Sequence, residues 1–487
     1  MKQKDFVFNL CLLIFLNLLV KPFWILGIDI GVQNRVGADV YGLYFSILSF
    51  TMLFNMVLDM GTTNYNNRNI ARHSERLDDQ FSGFVVLRML LGFAYFAVVF
   101  VAALIIGYTG EHLKLLFWIA LNQFLNAFLL YVRSNISALM MFKTDSVISV
   151  LDKLLMILFC GMLLWGNITD SQFRIEWFIW CQTVAYLLTI MVASVIVLRK
   201  APFKRLNFSF SFAWQIIKKS FPYALITLLM VSYYRIDSVM LERMLPENIA
   251  VTQSGIYASA FRIMDALAIV AYLFSVILLP LFSKMLKNRE NVVPIVHTSF
   301  ALMAVFSISA AAILFAYRTP VMQTLYTDHV SESIQVFGLI IFGLIPLSFT
   351  YIFGTLLTAN GNLKEMNIIS AMGIVVNVAV NLVLIPRMGA RGSAIASLST
   401  QIFISLMQFF SAVKILDIPL REIPIARTVV FFALVISISY MLSYLMPSHV
   451  VVAILLSGVA AIVVGFLTKL IDLRTAVDMV KGVGRKN

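Results

Sequence analysis

Apolar runs of about 20 residues, the length that an α-helix needs to cross roughly 30 Å of hydrocarbon, follow one another along the chain. Lipid offers no hydrogen-bond partners, so a membrane-spanning backbone must be a helix or a closed barrel. Barrel strands are shorter and alternate in hydrophobicity. The pattern therefore predicts an all-α polytopic membrane protein with about 14 transmembrane helices. We place them near 8–29, 40–60, 81–108, 113–132, 147–165, 173–198, 221–244, 254–283, 294–316, 334–359, 366–385, 392–413, 426–446 and 449–470.

The first apolar run, residues 6–30, follows Lys2 and Lys4 and has the charge pattern of a signal peptide. It is too long for the apolar region of a signal peptide, and no small-residue cleavage site follows it. We therefore expect a retained first helix.

Basic residues are distributed unevenly over the two predicted sides of the membrane. If the N-terminus is cytoplasmic, 25 Lys and Arg residues lie in cytoplasmic segments and 6 on the opposite side. The positive-inside rule then predicts that both termini are cytoplasmic, in the inner membrane of the cell. The same distribution accounts for the net charge of +13, so we predict no nucleic-acid partner.

The composition agrees with a membrane protein: 61% of the residues are hydrophobic, 13% are charged, and the mean hydropathy is +0.91. The three cysteines, Cys11, Cys160 and Cys181, show no metal-ligand spacing, and we expect buried thiols. The five histidines form no pair of base and nucleophile. We therefore predict neither an enzyme nor a metal site.

The second half of the chain weakly repeats the first. Lys21 precedes Tyr41, which opens the second helix, much as Arg235 precedes Tyr257 near the start of the eighth. Internal repeats of this kind often build transporters, with the substrate site between the halves.

The repeat suggests a division of the chain into lobes. We expect an N-lobe at 1–198, a cytoplasmic interfacial linker at 199–220, a C-lobe at 221–413, and two added helices with a cytoplasmic tail at 414–487. The linker carries an aromatic face beside lysines, which is typical of a helix lying at the membrane surface.

Several charges lie inside predicted helices, where an ionisable group costs about 2.5–3.5 kcal/mol and usually faces a cavity. Lys21, next to Pro22, is close to the midplane of the first helix. Deep cations favour an anionic ligand such as a lipid diphosphate. The candidate substrate-binding cations are Lys21, Arg235, Arg262, Arg88 and Lys153.

Each of these charges also has a structural alternative. Arg88, Lys153 and Asp59 can snorkel or cap helices, and Arg262 can pair with Asp265. Asp237 and Asp265 are candidates for ion coupling or for pairing with a neighbouring arginine. Polar residues on the same helices can bind sugar or join helices: Asn17, Asn55, Asn64, Gln123, Asn126 and Tyr233.

Short motifs occur in the order found in one transporter family. They lie at 35–42 (RVGADVYG), 59–61 (DMG) with Arg68 beyond, 255–263 (GIYASAFRI), 278–284 (LLPLFSK), 360–362 (NGN) and 386–396 (PRMGARGSAIA). In this combination the chain resembles the Wzx-type oligosaccharide and polysaccharide flippases of the multidrug/oligosaccharidyl-lipid/polysaccharide (MOP) exporter superfamily.

The resemblance implies two six-helix lobes around a V-shaped cavity, with the last two helices outside. It implies alternating access that moves an undecaprenyl-diphosphate-linked oligosaccharide across the inner membrane for O-antigen, other lipopolysaccharide, capsule or exopolysaccharide synthesis. In related lipid II flippases, cations on helices 1, 2 and 8 line the cavity. Lys21 and Arg262 fall at comparable places here, whereas helix 2 offers Arg68 only beyond its end.

The resemblance also implies membrane lipids, a polysaccharide polymerase and a chain-length regulator as partners, and no cofactor beyond Na⁺ or H⁺ coupling. Two other classes stay open. A cation-coupled exporter of small molecules or drugs from the same superfamily requires Asp237 and Asp265 to face the cavity unpaired. A membrane enzyme such as a polymerase usually has a long external loop or paired catalytic acids, and this sequence has neither.

Overall fold

A computed structural model of the chain describes residues 3–63, 77–166, 171–199 and 209–470. These residues form helices and connecting turns, and no strand occurs among them. Within these described ranges, thirteen helical segments are long and apolar enough to cross a membrane. The first, Ile14–Leu53, is 40 residues long and overlaps both predicted helices 1 and 2, with a break at Gly37, where φ is 84°. The predicted all-α polytopic fold is confirmed.

The α-helices are numbered here in chain order. They are α1 (Gln3–Phe23), α2 (Ile30–Leu53), α3 (Asn55–Asp59), α4 (Leu77–Ile105), α5 (Glu111–Ala138), α6 (Phe142–Trp165), α7 (Ile175–Leu198), α8 (Phe210–Met244), α9 (Glu247–Lys287), α10 (Val293–Ala316), α11 (Arg318–Leu325), α12 (Val330–Ile340), α13 (Leu344–Asn360), α14 (Leu363–Met388), α15 (Ala390–Ile415), α16 (Ile425–Leu445) and α17 (Val450–Leu467). A π-helical turn, Trp24–Asp29, joins α1 to α2, and a 3₁₀ turn, Ile341–Gly343, joins α12 to α13.

The chain divides into two compact units, residues 1–255 (the N-unit) and 256–487 (the C-unit). The division falls inside α9. Residues 200–208 of the predicted linker lie outside the described residues, as do Asn64, Arg68 and the tail beyond residue 470. The predicted lobe boundaries therefore stay a prediction.

The rest of the predicted linker is helical and continuous with a membrane span. α8 runs without interruption from Phe210 to Met244, and its segment Ala224–Met244 is long and apolar enough to cross the bilayer. Its first turns carry Phe210 and Trp214, which are 75% and 60% exposed. Aromatic rings of this kind favour the membrane–water interface, where the sequence predicts this segment.

In the N-unit, α1 packs on α6, α2 packs on α5 and α8, and α5 packs on α7. Hydrogen bonds join α1 to α6 and the short helix α3 to α5. Asn17 Nδ2 donates to Ser149 Oγ at 3.0 Å, and Asn55 Nδ2 donates to Gln123 Oε1 at 2.9 Å. A bond of this kind inside a bilayer contributes about 0.6–2 kcal/mol. The two asparagines thus join helices, which was one of the two roles predicted for them.

α2 and the first turns of α9 approach each other closely in the N-unit. A side chain on Gly42 would overlap the carbonyl oxygen of Val251, and one on Gly255 would overlap that of Ala38. Glycine is required at both positions because backbone atoms occupy the space of a Cβ. Ser46 Oγ lies 2.6 Å from Ser254 Oγ in the same contact.

In the C-unit, α16 and α17, the predicted thirteenth and fourteenth helices, pack on α10. The contact is built from small and branched residues, among them Ala304, Ile308, Val435 and Ala461. Small residues let helices approach closely, which maximises dispersion contacts where lipid removes the hydrophobic driving force.

Buried neutral amides and hydroxyls line the contact between α14 and α15 in the C-unit. Asn377, Asn381, Thr400 and Gln401 are all buried, and Asn381 Nδ2 donates to Asn377 Oδ1 at 2.9 Å. These groups carry no formal charge, so the pair holds polarity within the bilayer without the cost of an ion.

Cys160 in α6 and Cys181 in α7 are buried free thiols, as predicted, while the side chain of Cys11 lies outside the described residues.

Candidate functional site

Lys21 lies in the last turn of α1, at a point where the helix changes its geometry. Pro22 follows it, and the π-helical turn begins at Trp24. Proline has no N–H for the helical ladder and crowds the preceding turn, so a local rearrangement of the backbone is expected beside it. π-helical turns are frequent at functional sites. The Lys21 side chain is partly buried.

α6, which packs on α1, carries the second cation of this region. Lys153 Nζ lies 3.3 Å from Asp152 Oδ2 and 3.3 Å from the Tyr186 hydroxyl of α7. It also lies 5.5 Å from the centre of the Trp24 ring, within the range of a cation–π interaction. Three groups of the N-unit therefore hold Lys153 in place.

Lys21 differs from Lys153 in its partners. Within the described part of the chain, its ammonium has no ion pair and no hydrogen bond to a side chain. Lys153, Asp152 and Arg133 are close enough to act on Lys21 electrostatically. Asp152 is paired with Lys153, and Arg133 Nε donates to Asp145 Oδ1 at 3.0 Å. Lys21 is thus a positive charge that the surrounding acids do not neutralise.

The backbone around Lys21 is fixed by the packing of α1 on α6. Asn17, one turn earlier on the same face of α1, is joined to Ser149, one turn before Lys153 on α6. The hydrogen bond therefore sets the register in which the two lysine-bearing turns meet. We define Lys21, Lys153, Asp152, Trp24 and Tyr186 as the α1–α6 cationic cluster.

An aromatic column extends from this cluster into α2. The Trp24 ring stacks on Phe178 with centroids 5.6 Å apart, and Phe178 contacts Tyr44 edge-on at 5.4 Å. Tyr44 contacts Tyr41, whose hydroxyl donates to Asp29 Oδ1 at 2.7 Å. Large rigid rings with few rotatable bonds keep Trp24 and its face toward Lys153 in one position.

Sequence reasoning missed Asp29 and Asp152. Asp29 is the last residue of a predicted helix, a position where an acidic residue is expected to be exposed. In the structure it is buried. Its position between Ile28 and Ile30 is the signal that could have identified it, because isoleucines on both sides indicate membrane depth. Asp152 was overlooked beside Lys153.

Arg88, another predicted cavity cation, is hydrogen-bonded to residues of the N-unit. Nη1 donates to the Leu58 carbonyl at 2.7 Å, and Nη2 donates to Asp59 and Thr63. Its guanidinium lies 5.4 Å from the centre of the Tyr131 ring, and the side chain is 2% exposed. The geometry favours the capping role, since Leu58 and Asp59 end α3. A substrate contact by Arg88 stays a prediction.

Arg235 and Asp237 lie on α8 in the N-unit, on a different helix from the cationic cluster. The Arg235 guanidinium lies 5.2 Å from the centre of the Tyr234 ring. Asp237 is 1% exposed, and both residues make further polar or electrostatic contacts. Burial of both signs on one helix is typical of a paired group and does not by itself mark a ligand site.

Arg262 and Asp265 lie on α9 in the C-unit. Arg262 Nη1 is 3.9 Å from Asp265 Oδ2, one turn away on the same helix face, and both side chains are largely buried. This is the pairing that the sequence suggested as the structural alternative for both residues. The structure thus brings Lys21 and Lys153 together and places the other predicted site residues in separate contacts.

Comparison with known proteins shows the family to which this chain belongs. Residues 9–286 match the family model described as polysaccharide biosynthesis protein. A comparison with curated protein sequences gives no match.

Solved structures share the fold. The lipid II flippase MurJ in an inward closed conformation aligns with a TM-score of 0.69 and 15% identity, over 97% of this chain and 98% of that one. An inward-facing multidrug resistance MATE family transporter of the MOP superfamily aligns with a TM-score of 0.59 and 13% identity, over 80% and 93%. The Vibrio cholerae MATE transporter VcmN in its bent form gives 0.57 and 14%, over 84% and 95%.

Proposed function

Because this chain belongs to the polysaccharide biosynthesis protein family, we propose that it flips a lipid-linked oligosaccharide across the inner membrane. The proposed substrate is an undecaprenyl-diphosphate-linked repeat unit destined for O-antigen, capsule or exopolysaccharide. The observation that carries the proposal is Lys21, a membrane-embedded cation with no counter-ion among the described residues.

A diphosphate matches the charge of the α1–α6 cationic cluster. Lysine is a compact point charge, and a diphosphate presents several oxygens to any nearby cation. Lys21 and Lys153 carry two positive charges against the single negative charge of Asp152. An anionic headgroup bound to Lys21 would neutralise the remaining charge, which the bilayer otherwise makes costly. Arg235 and Arg262 are proposed as further contacts of the anionic substrate.

The likeness to a lipid II flippase supports a lipid-linked substrate, and the family supports a saccharide. The likeness to MATE transporters supports the second candidate, a cation-coupled small-molecule exporter. That candidate needs Asp237 and Asp265 to face the cavity unpaired, whereas Asp265 lies 3.9 Å from Arg262 and Asp237 makes further polar or electrostatic contacts. The geometry therefore favours the flippase.

Substitution of Lys21 tests the proposal. We expect Lys21→Ala to lose most export and Lys21→Arg to keep part of it, because charge matters more than shape for a diphosphate. Surface polysaccharide in a flippase-null strain is the readout, with the membrane level of each variant measured in parallel. Arg262→Ala and Arg262→Lys are compared in the same way.

Lys114→Ala is the matched control, because Lys114 is an exposed cation of the same unit at the start of α5. It should export at the level of the unaltered protein. Full export by Lys21→Ala at a normal membrane level would contradict the proposed role of Lys21 and leave the charge without a function in transport.

A further inference from the structure

A buried carboxylate outside the cationic cluster lies at the end of α8. The Glu242 side chain is 5% exposed although it belongs to the last turn of a membrane span. The Tyr108 hydroxyl donates to Glu242 Oε2 at 2.6 Å, and Arg243 Nη2 lies 3.3 Å from Glu242 Oε1. Each carboxylate oxygen thus has its own partner.

The turn that contains Tyr108 positions this hydroxyl next to Glu242. α4 ends at Ile105, and Gly107 adopts φ of +87°, which ends the helix in a left-handed turn. The Tyr108 N–H then donates to the Ala103 carbonyl at 2.9 Å, so the tyrosine folds back against the helix. A glycine followed by a large hydrophobic residue is the sequence pattern of this helix ending.

The titratable and charged groups that face Glu242 come from three places. Tyr108 comes from the turn before α5, His112 from α5, and Arg243 from α8 itself. His112 stacks on the Tyr108 ring with centroids 5.5 Å apart, and the Arg243 guanidinium lies 4.0 Å from the centre of that ring. α2 contributes Phe50, which is apolar and closes another side of Tyr108.

Burial raises the pKa of Tyr108, and the nearby Glu242 carboxylate raises it further. Tyr108 therefore stays protonated and acts as a donor. The group of this cluster that can change its charge while staying buried is the carboxylate. When it binds a proton, the hydrogen bond from Tyr108 no longer has a charged acceptor, and the contact between the end of α8 and the α4–α5 turn weakens.

We propose that Glu242 is a proton-binding site of the transporter, loaded from the outer compartment and coupled to movement of the substrate. The inference rests on the proposed function and on the predicted orientation, in which Arg243 lies on the outer side. One proton from water adds to one carboxylate oxygen, and no other bond changes. α9 starts at Glu247, directly after this site, and its first turns pack on α2 through Gly42 and Gly255. A change at the end of α8 is therefore passed to that helix contact.

The binding step is tested without any substrate. In infrared difference spectra of the purified full-length protein between about pH 8 and about pH 5, a carboxyl C=O band from Glu242 should appear at the acidic end. It should be absent from Glu242→Gln. It should persist in Tyr108→Phe at a shifted frequency, because the hydrogen bond to the carboxyl group is lost.

Glu247→Gln is the matched control, since Glu247 is exposed and lies in the next turn of chain. It should keep the Glu242 band. A Glu242→Gln spectrum identical to that of the unaltered protein would overturn the inference, whatever the substrate proves to be.

The coupling step uses export by cells held at different external pH values. Export by the unaltered protein should change by up to roughly tenfold per pH unit where a single group controls the rate, whereas export by Glu242→Gln should vary little. An unchanged pH profile in Glu242→Gln, or a profile that follows sodium and not pH, would overturn the inference. If the unaltered protein fails to restore export in the flippase-null strain while the infrared band depends on Glu242, the flippase proposal fails and the proton site stands.

Discussion

Lys21 and Arg88 are both cations inside predicted membrane spans of the N-unit, yet their surroundings differ completely. Arg88 reaches the Leu58 carbonyl, the Asp59 carboxylate and the Tyr131 ring. Lys21 has no ion pair or side-chain hydrogen bond among the described residues. Their position within membrane spans alone makes the two residues look alike. The number of protein partners separates a cation that holds helices together from one that is available to a ligand.

The difference has an energetic meaning. The desolvation of Arg88 is offset by a carboxylate and by backbone and hydroxyl oxygens that accept its protons. Lys21 keeps its cost, about 2.5–3.5 kcal/mol on insertion scales, without such compensation. A bound anion would supply the missing partner, and this is why Lys21, and not the better-buried Arg88, carries the functional proposal.

The largest effect on stability should come from Arg88→Ala. The change leaves the Asp59 carboxylate and the Leu58 carbonyl without their donor. Breaking a fully buried pair destabilises by about 3–5 kcal/mol, and a smaller loss is expected here because the Asp59 side chain is 36% exposed to solvent. The thermal midpoint in detergent and the membrane level should both fall, while Lys114→Ala stays unchanged. An unaltered midpoint would show that the contacts of Arg88 do not stabilise the fold.

Lys21→Met should change the stability of the protein in the opposite direction. Removal of an uncompensated charge from the bilayer should raise the thermal midpoint, by an amount that corresponds to at most about 2.5–3.5 kcal/mol. Export should be lost at the same time. A fall in the midpoint comparable to that of Arg88→Ala would mean that Lys21 has protein partners, and the comparison would then fail.

The smallest effects should come from Asp237→Asn and Asp265→Asn. Asp265 lies close enough to Arg262 to serve as its partner, and an asparagine keeps the shape and part of the polarity. We expect export to fall less than in Lys21→Ala, with normal membrane levels. Complete loss of export together with loss of dependence on a proton or sodium gradient would instead assign these acids to ion coupling.

The sequence predicted the helices well because their lengths are set by the bilayer. The predicted eighth helix, 254–283, corresponds to α9 at Glu247–Lys287, and the predicted twelfth, 392–413, to α15 at Ala390–Ile415. The first predicted helix continues into the second except for the break at Gly37, and the second is interrupted again at Phe54, between α2 and α3. A local hydrophobic pattern does not show whether a short polar segment leaves the helix or bends it.

The partners of the charges could not be predicted in the same way. Lys153 meets Tyr186 across more than a helix length of chain, and Tyr108 meets Glu242 across most of the N-unit. Such contacts depend on which helix faces pack together, and the apolar runs leave those faces nearly uniform in composition. The depth of each charged residue in the membrane could be predicted from the sequence. Its partner could be identified only from the packed helices.

The contact between α2 and α9 requires that Gly42 and Gly255 carry no Cβ atom. Because backbone meets backbone there, even an alanine would act as a wedge between α2 and α9, whereas substitutions at neighbouring lipid-facing positions would leave the gap unchanged. A protein that alternates between arrangements of its helices can be biased toward one of them by a wedge at such a place. Gly42→Ala and Gly255→Ala are therefore a means to arrest the transport cycle for structural work, with the substrate-binding residues left intact.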